Sequence, residues 1–372
     1  MRLSIEKPSL ARALAHVASV VERRNTIPIL SNVLLAVGTN ELRLTATDLD
    51  MELVETVPCR SNGEGSITVP AHMFYDIVRK LPEGSDIELE RDAEQERLVV
   101  TSGPAQFSLQ TLPADDFPSL SVDDLGHAFT VPAGDLKRLI EKSRFAISTE
   151  ETRYYLNGIY LHAAESDGKP TLRAVATDGH RLAQVELPLP AGATGMPGVI
   201  VPRKTVLELS KLVEDADGEV RVELSPSKIR VSAGRVVLTS KLIDGTFPDY
   251  ERVIPQGNDK RLEVDNAAFA QAVDRVSTLS SDKGRAVKLA LADGKLTLSV
   301  NNPESGSATE ELVVDYGFDA LEIGFNARYL LDISGQIESG TAEFLLADSG
   351  SPTMVRDGKD PSALYVLMPM RV

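Results

Sequence analysis

Two short segments bring together residue types that could do chemistry. Asp178 precedes His180 by two residues, and Asp48 precedes Asp50 in the same way, so each pair could act as acid and base or hold a metal ion. The chain contains no HExxH pattern, no Gly-rich phosphate loop with Lys and no G-x-S-x-G elbow. Asp48 and Asp178 also follow the same Ala-Thr dipeptide, which favours a turn role for both. We therefore predict a protein that is not an enzyme, with no catalytic residues, no metal site and no cofactor.

Composition and charge exclude further classes of protein. The chain has 372 residues, of which 42% are hydrophobic and 25% charged, as is typical of globular domains. The single Cys59 excludes a disulfide scaffold and fits a reducing cytoplasm. No apolar run approaches the roughly 20 residues that cross a bilayer, and the first residues lack a secretory signal. We expect a soluble cytoplasmic protein with no membrane partner.

The elements that position these residues follow from a repeat. Three segments begin alike, at Leu3, Phe129 and Leu262, with two alternating apolar residues followed by apolar residues at helical spacing. Each segment predicts a short strand that leads into an amphipathic helix. A second set of similar segments, 74–81, 206–213 and 330–337, predicts three more helices, each followed by Gly and an alternating strand.

Strand patterns between the helices also recur, including the shared Ala-Thr-Asp and Phe-Pro sequences. Coincidence among ordinary amphipathic segments could explain any one of these motifs. The same order in every third of the chain indicates a triplication instead. We predict an α+β protein with domains at residues 1–125, 126–254 and 255–372, each with two helices packed on antiparallel sheets.

The charge distribution adds an electrostatic hypothesis. A net charge of −16 argues against a sequence-specific DNA-binding protein, which usually has a basic domain, whereas the six predicted helices and their flanks sum to +5. A basic helical face inside an acidic body could hold a polyanion by its phosphates. The alternative is that surface helices carry Lys and Arg only for solubility. Open sheet edges would also allow such domains to associate head to tail into a ring.

Several motifs resemble one known family along the whole chain. They are the stretch from Ala176 to Ala183, the stretch from Arg153 to Gly158, Phe247-Pro248-Asp249-Tyr250 and the ending Met368-Pro369-Met370-Arg371. These motifs resemble the bacterial DNA polymerase III beta subunits, the sliding clamps. The resemblance implies three tandem DNA-clamp (processivity-fold) domains and a homodimeric ring around double-stranded DNA. It also implies a processivity factor that works at the nucleoid during replication.

The resemblance implies a set of DNA-binding residues, with some departures. His72-Met73 stands where the family has a basic loop, Glu150 stands where Gln is frequent, and the third-domain helices are acidic on balance, so we expect DNA contact mainly in the first two domains. For the two tyrosines, a packed pair on a β-strand is the alternative. The implied DNA-binding residues are Arg24, His72, Arg79, Arg153, Tyr154, Tyr155, Arg203 and Lys204.

The resemblance also implies a pocket for short partner peptides. Its apolar residues would form an adaptable groove, and Arg181 and Arg252 could hold polar ends of an extended peptide. Ordinary core packing is the alternative for any single Leu or Met. The implied partners are the DNA polymerase III catalytic subunit, the clamp loader, other polymerases, and mismatch-repair and initiation-control proteins. The implied pocket residues are Leu156, Thr177, Gly179, His180, Arg181, Leu182, Pro248, Arg252, Val253, Val366, Met368, Pro369, Met370 and Arg371.

The resemblance finally implies the contacts that join two chains. Phe107 and Leu109 of the first domain would face Thr278 and Leu279 of the partner's third domain, with a rim of glutamates. Burial in the core of a single chain is the alternative for these residues. The alternative functions are an enzyme, which the lack of catalytic motifs disfavours, and a protein scaffold that uses the peptide pocket without DNA. The rim glutamates are Glu304, Glu310 and Glu311.

Overall fold

The computed structural model describes residues 1–92, 94–120, 125–280 and 286–371. The described residues form six α-helices and 25 strands. The helices are α1 (Lys7–Val20), α2 (Ala71–Lys80), α3 (Ala133–Glu141), α4 (Arg203–Glu214), α5 (Asn266–Ser277) and α6 (Ala327–Ser334).

The strands all pair antiparallel. The first eleven are β1 (Arg2–Glu6), β2 (Asn32–Gly38), β3 (Glu41–Thr47), β4 (Met51–Pro58), β5 (Arg60–Asn62), β6 (Gly65–Pro70), β7 (Asp86–Asp92), β8 (Arg97–Ser102), β9 (Ala105–Gln110), β10 (His127–Pro132) and β11 (Gly158–Ser166). The next seven are β12 (Lys169–Thr177), β13 (Arg181–Pro188), β14 (Val199–Pro202), β15 (Glu219–Leu224), β16 (Lys228–Ala233), β17 (Val236–Lys241) and β18 (Lys260–Asp265). The last seven are β19 (Ala286–Ala292), β20 (Lys295–Asn302), β21 (Gly306–Val313), β22 (Leu321–Asn326), β23 (Thr341–Leu346), β24 (Thr353–Asp357) and β25 (Asp360–Leu367).

The predicted strand-to-helix repeat is confirmed in all three thirds. β1 leads into α1, β10 into α3 and β18 into α5, while α2, α4 and α6 cover the second set of predicted helices. The apolar residues four apart on the first helix of each third face the core, because one stripe of an amphipathic helix must be buried. The buried pairs are Leu10 and Leu14, Leu136 and Ile140, and Phe269 and Val273.

The described chain divides into two compact units, and the central third contributes to both. The first unit contains residues 1–137, 190–197 and 204–242. It holds a five-stranded sheet, β5-β1-β7-β8-β9, and an eight-stranded sheet, β10-β15-β16-β17-β4-β3-β2-β6. In the larger sheet β17 pairs with β4, with Leu238 opposite Leu53. This pairing joins strands from the predicted first and second domains.

The second unit contains residues 138–189, 198–203 and 243–372. It holds an eight-stranded sheet, β14-β11-β12-β13-β25-β24-β23-β18, and a four-stranded sheet, β21-β20-β19-β22. Here β13 pairs with β25, with Leu182 opposite Val366. A continuous sheet again crosses a predicted domain boundary, which places residues from the second and third domains side by side.

Candidate functional site

The carboxylates with a possible chemical role serve as turn residues. Asp48 Oδ1 accepts the N–H groups of Asp50 at 2.9 Å and Met51 at 2.8 Å. Asp178 Oδ1 accepts those of His180 at 2.9 Å and Arg181 at 3.1 Å. An Asp side chain that binds backbone N–H groups two and three residues ahead stabilises a tight turn. The predicted turn role of both aspartates is therefore confirmed.

The described part of the chain was compared with two structural signatures, a cluster of metal ligands and a membrane-spanning helix. Within residues 1–92, 94–120, 125–280 and 286–371, no group of three or more His, Cys, Asp or Glu side chains could hold a metal ion. None of the helices formed by these residues is long and apolar enough to span a bilayer.

The residues of the implied peptide pocket meet at the pairing of β13 with β25. Leu156, Leu182 and Val366 are buried at 4%, 2% and 2% exposure and belong to one apolar cluster with Phe247 and Tyr250. Each of these side chains is apolar or aromatic, so the cluster forms a water-excluding floor. Leu156, Leu182 and Val366 are therefore packed in the core, and they also lie beneath the implied peptide surface.

Apolar side chains also reach the surface next to this floor. Val253 is 47% exposed and Met368 is 41% exposed, and Pro248 is exposed as well. The C-terminal segment is held in place by its backbone, because Met368 N–H donates to the His180 carbonyl at 2.9 Å and Met370 N–H donates to the Gly324 carbonyl at 2.8 Å. An exposed apolar rim beside a buried apolar floor is the arrangement that receives hydrophobic side chains of a peptide.

Arg181 requires a correction, because its guanidinium is committed within the protein. Its Nε donates to Asp178 Oδ2 at 3.1 Å, its Nη1 to Asp332 Oδ2 at 2.5 Å and its Nη2 to the Phe145 carbonyl at 2.7 Å. The same group stacks on the ring of Tyr329 at 4.2 Å from the ring centroid. Three of the five guanidinium N–H groups are bound and the residue is 8% exposed, so Arg181 is better placed to hold the pocket residues together than to bind a peptide end.

Arg252 has the opposite environment. Its side chain is 83% exposed, and its Nε lies 2.6 Å from Asp249 Oδ2 three residues earlier. Exposed ion pairs of this kind exchange readily with other partners. Of the two arginines, Arg252 is the one available to a peptide carboxylate.

Sequence reasoning did not identify the residues that hold Arg181 in place. Asp332 lies on α6, Tyr329 on the same helix and Phe145 in a short 3₁₀ helix after α3. A signal for Asp332 was present, because the acid position recurs in the second helix of each third as Asp76, Glu208 and Asp332. The two rings carried no comparable signal.

The implied DNA-binding residues of the first unit differ in availability. Arg24 is exposed and forms no ion pair with the described residues. Arg79 Nε lies 2.8 Å from Asp76 Oδ1, and His72 Nε2 lies 2.8 Å from the Val21 carbonyl oxygen. Lys204 binds two carboxylates: burial opposes its charged form, but hydrogen bonds to Asp48 and Glu22 raise the pKa of Lys204 above its ordinary value.

Three of the implied DNA-binding residues of the second unit, Arg153, Tyr154 and Tyr155, lie in a 3₁₀ helix, Glu151–Leu156, and not on a strand. The alternative of a tyrosine pair on a β-strand is therefore wrong. Tyr154 is 53% exposed, whereas Tyr155 packs against the apolar cluster. Arg153 donates to both carboxylate oxygens of Glu150 and so holds the pKa of Glu150 below its usual range. Arg203, the first residue of α4, is exposed.

The residues implied at the contact between chains lie near two sheet edges. On β9, Phe107 is 37% exposed while Leu109 is buried at 5% exposure, so core burial within one chain applies to Leu109. Thr278, exposed, ends α5, and the carbonyl of Leu279 accepts a hydrogen bond from Asn302 Nδ2 at 3.0 Å.

Two of the three glutamates implied at the rim of that contact form ion pairs within the chain. Glu310 on β21 forms two hydrogen bonds with Arg275 of α5, which hold the pKa of Glu310 below its usual range. Glu311 Oε1 lies 3.1 Å from Lys295 Nζ. Glu304 is exposed, in the turn between β20 and β21.

Comparison with known proteins gives a consistent result over the whole chain. Models of the DNA polymerase III beta subunit match in order: the N-terminal domain at residues 1–121, the central domain at 130–249 and the C-terminal domain at 251–371. The beta sliding clamp of Caulobacter vibrioides is 55% identical over 372 residues, covering 100% of both chains. That of Escherichia coli (strain K12) is 42% identical over 375 residues, also covering 100% of both.

Solved structures agree with the sequence comparison. A sliding clamp (DNA polymerase III subunit beta) from Bartonella birtlesii bound to griselimycin matches with a TM-score of 0.97 and 54% identity, over 100% of both chains. The corresponding Pseudomonas aeruginosa clamp bound to griselimycin matches with a TM-score of 0.94 and 43% identity, over 100% of both chains. The resemblance and the prediction of three tandem clamp domains are confirmed. The chain belongs to the family of DNA polymerase III beta subunits, the bacterial sliding clamps.

Proposed function

We propose that two copies of this chain close head to tail into a ring that encircles duplex DNA and tethers the replicative polymerase. Sliding clamps are processivity factors and not enzymes, so the proposed function includes no chemical step. The observation that carries the proposal is the pairing of strands across the predicted domain boundaries.

Both internal boundaries are crossed by the same kind of strand pair. In each pair, the last strand of the later domain pairs with the third strand after the first helix of the earlier domain: β17 pairs with β4, and β25 with β13. By the repeat, β9 and β21 are the equivalent strands left over, and among the described strands each pairs with one neighbour only.

A second chain can satisfy the two remaining edges. Its β21 would add to β9 of the first chain, and its β9 to β21 of the first chain, which repeats the internal rule twice. Head-to-tail contacts generate a ring when the rotation closes, and exposed edge strands are otherwise liable to nonspecific pairing. The resulting ring would contain six domains, and the mass in solution would be about twice 40.2 kDa.

The exposed arginines support DNA contact through phosphates. Arg24 and Arg203 are exposed cations near the end of α1 and at the start of α4, and Tyr154 adds an exposed ring. Few contacts of this kind give weak, sequence-independent binding. Weak binding suits a clamp whose retention comes from enclosing the DNA, because tight base contacts would stop it from sliding.

The surface above Leu156, Leu182 and Val366 is the proposed site for partner peptides. Short extended segments of the polymerase III catalytic subunit, the clamp loader, other polymerases, and mismatch-repair and initiation-control proteins would place apolar side chains on this floor. Arg252 would bind a polar group at one end of the segment. Binding of griselimycin by two relatives is compatible with a ligand site on clamps of this fold.

Retention on circular DNA tests the ring. The protein is loaded on a nicked plasmid with its clamp loader, separated from free protein by gel filtration, and the plasmid is then either left intact or cut once with a restriction enzyme. We expect the intact circle to retain the protein and the cut plasmid to release it. Persistent binding to the linear product, or no retention on the circle, would contradict encirclement. Peptide binding without any retention would instead support the scaffold function.

A further inference from the structure

A cavity of about 620 Å³ lies in the first unit, near Lys204 but lined by none of the residues implied above in DNA or peptide binding. We call it the α1–α4 groove. One wall comes from α1 and the other from α4, and the floor comes from β4 and the turn between β16 and β17. Its volume is that of an ordinary ligand site. The residues that line the groove include Ala15, His16, Ser19, Leu53, Glu208 and Leu212.

A network of hydrogen bonds crosses the middle of the groove. His16 Nδ1 lies 2.8 Å from Glu55 Oε2, and His16 Nε2 lies 3.0 Å from Asp215 Oδ2. The hydrogen bond with Glu55 is the main cause that raises the pKa of His16, and it outweighs burial. Because His16 links α1 to β4 and to the segment after α4, the walls of the groove are fixed in place.

The repeat provides an internal comparison for this groove. By the repeat, the corresponding residues of the second unit bind one another: the Arg181 guanidinium binds Asp332, and it stacks at 5.2 Å from the Phe145 ring centroid. A guanidinium, a carboxylate and an aromatic ring therefore form one packed group there.

In the first unit the carboxylate is kept, but its guanidinium and its ring are missing. Glu208 occupies the position of Asp332, two residues after the first apolar residue of the repeated helix motif. Ser19 occupies the position of Phe145, nine residues after the equivalent Leu10 and Leu136, and Met51 occupies the position of Arg181, three residues after the turn aspartate. Ser19 lines the groove and carries no ring at this position of the repeat.

We propose that the α1–α4 groove binds a segment of a partner protein that carries an aromatic residue next to an arginine. The guanidinium would bind Glu208, as Arg181 binds Asp332, and the ring would lie over Ser19 against Ala15, Leu53 and Leu212. This site is separate from the peptide surface at β13 and β25 and does not depend on it.

The present partners of Glu208 permit an arginine of the partner segment to replace Lys211. Its Oε2 accepts the Ser19 hydroxyl, and its Oε1 accepts Lys211 Nζ at 2.8 Å. The Lys211 side chain is 55% exposed and can turn to solvent, whereas Glu208 is 6% exposed and cannot. A guanidinium offers two parallel N–H donors to a carboxylate, which a lysine ammonium does not, so the exchange favours arginine.

Calorimetric titration of the full-length protein with N-acetyl-Phe-Arg-amide tests the proposal. We expect saturable binding that weakens at least about tenfold when citrulline, which is neutral and of similar shape, replaces arginine, and also when Ala replaces Phe. Deletion of residues 368–372, which removes part of the peptide surface, should leave this binding unchanged. Equal affinity for the arginine and citrulline peptides would overturn the proposal.

Two variants locate the site. Glu208→Gln should weaken binding at least about tenfold, while Glu214→Gln, the same change on the same helix outside the groove, should leave it unchanged. Ser19→Phe should also prevent binding, because the new ring fills the space. Thermal unfolding of each variant establishes that it is folded, and if one fails to fold the other decides. Undiminished binding by a folded variant would show that the peptide binds elsewhere.

Discussion

At the scale of single residues, one buried carboxylate, that of Asp357, is held by backbone N–H groups. Asp357, 4% exposed, accepts the N–H groups of Glu338 at 2.8 Å, Ser339 at 2.9 Å and Lys359 at 3.0 Å. Burial alone would raise the pKa of Asp357, but hydrogen bonding by the Ser339 side chain and by these N–H groups outweighs it and lowers the pKa from 3.8 to about 2. Asp357 therefore stabilises the fold above its unfolded pKa, and this stabilisation is lost as the pH falls toward 2.

Asp357→Asn should lower the free energy of unfolding by about 2 kcal/mol at pH 7, because the ionised carboxylate is the better acceptor. The deficit should shrink between pH 4 and pH 2, where the wild-type carboxylate becomes protonated. Urea unfolding at several pH values measures this difference in the free energy of unfolding, and Asp293→Asn on an exposed turn is the control. A deficit that does not depend on pH would show that lost packing, and not ionisation, is the cause.

Met368→Ala tests the apolar rim of the peptide surface. Its side chain is 41% exposed, so truncation should leave the fold intact and reduce affinity for a synthetic peptide containing Gln and Leu by about fivefold, as expected for lost apolar contact. Met73→Ala, which changes a methionine of 56% exposure in the first unit, is the matched control. Fluorescence anisotropy measures both. Equal affinities of the two variants would place the peptide elsewhere.

At the scale of elements, the proposed ring depends on two edge strands, through which one chain would join another. β9 and β21 correspond to strands that pair within the chain, and Phe107 on β9 is 37% exposed. A charge at this position would have to be desolvated on association, which disfavours pairing much more than it disfavours the separate chain.

Phe107→Asp should therefore shift the protein from dimer to monomer at micromolar concentration, with little loss of stability. Light scattering coupled to gel filtration gives the mass, and Leu207→Asp, at a position of 38% exposure on α4, is the control. A variant that retains the dimer mass would exclude β9 from the contact.

Sequence reasoning predicted the elements better than their pairing. The spacing of residues such as Leu10 and Leu14 predicts the helix that contains them. The repeated Ala-Thr-Asp motif then predicts the turn role of Asp178. The strand pairs that cross the predicted boundaries depend on residues more than 100 positions apart, and no local pattern reports them. The partners of Arg181 were missed for the same reason, because Asp332 lies 151 residues away.

At the scale of the whole molecule, the proposed binding to DNA must be compatible with a net charge of −16. Long-range repulsion disfavours contact with DNA over most of the surface, and a few exposed arginines must supply the attraction. Such binding should be weak and should fall with salt, while retention on a closed circle depends on enclosure.

The double variant Arg24→Ala, Arg203→Ala should reduce the slope of log affinity against log salt concentration by about 2, since each phosphate contact contributes about 1. Retention on nicked circles at low salt should persist. The double variant Arg60→Ala, Arg221→Ala removes two exposed arginines from strands and serves as control. Fluorescence anisotropy with a short duplex gives the slopes, and an unchanged slope would assign the phosphate contacts to other residues.

The division of the central third between two compact units has a consequence for how this architecture can be shortened. An evolutionary loss or laboratory excision of that third would strip a neighbour from β4 and from β25 at once. Both remaining pieces would then expose unpaired strand edges, which could pair with each other or with any chain nearby. Shorter proteins derived from this one should therefore be rare. Evolution of this family should alter side chains and loops and should leave the number of domains unchanged.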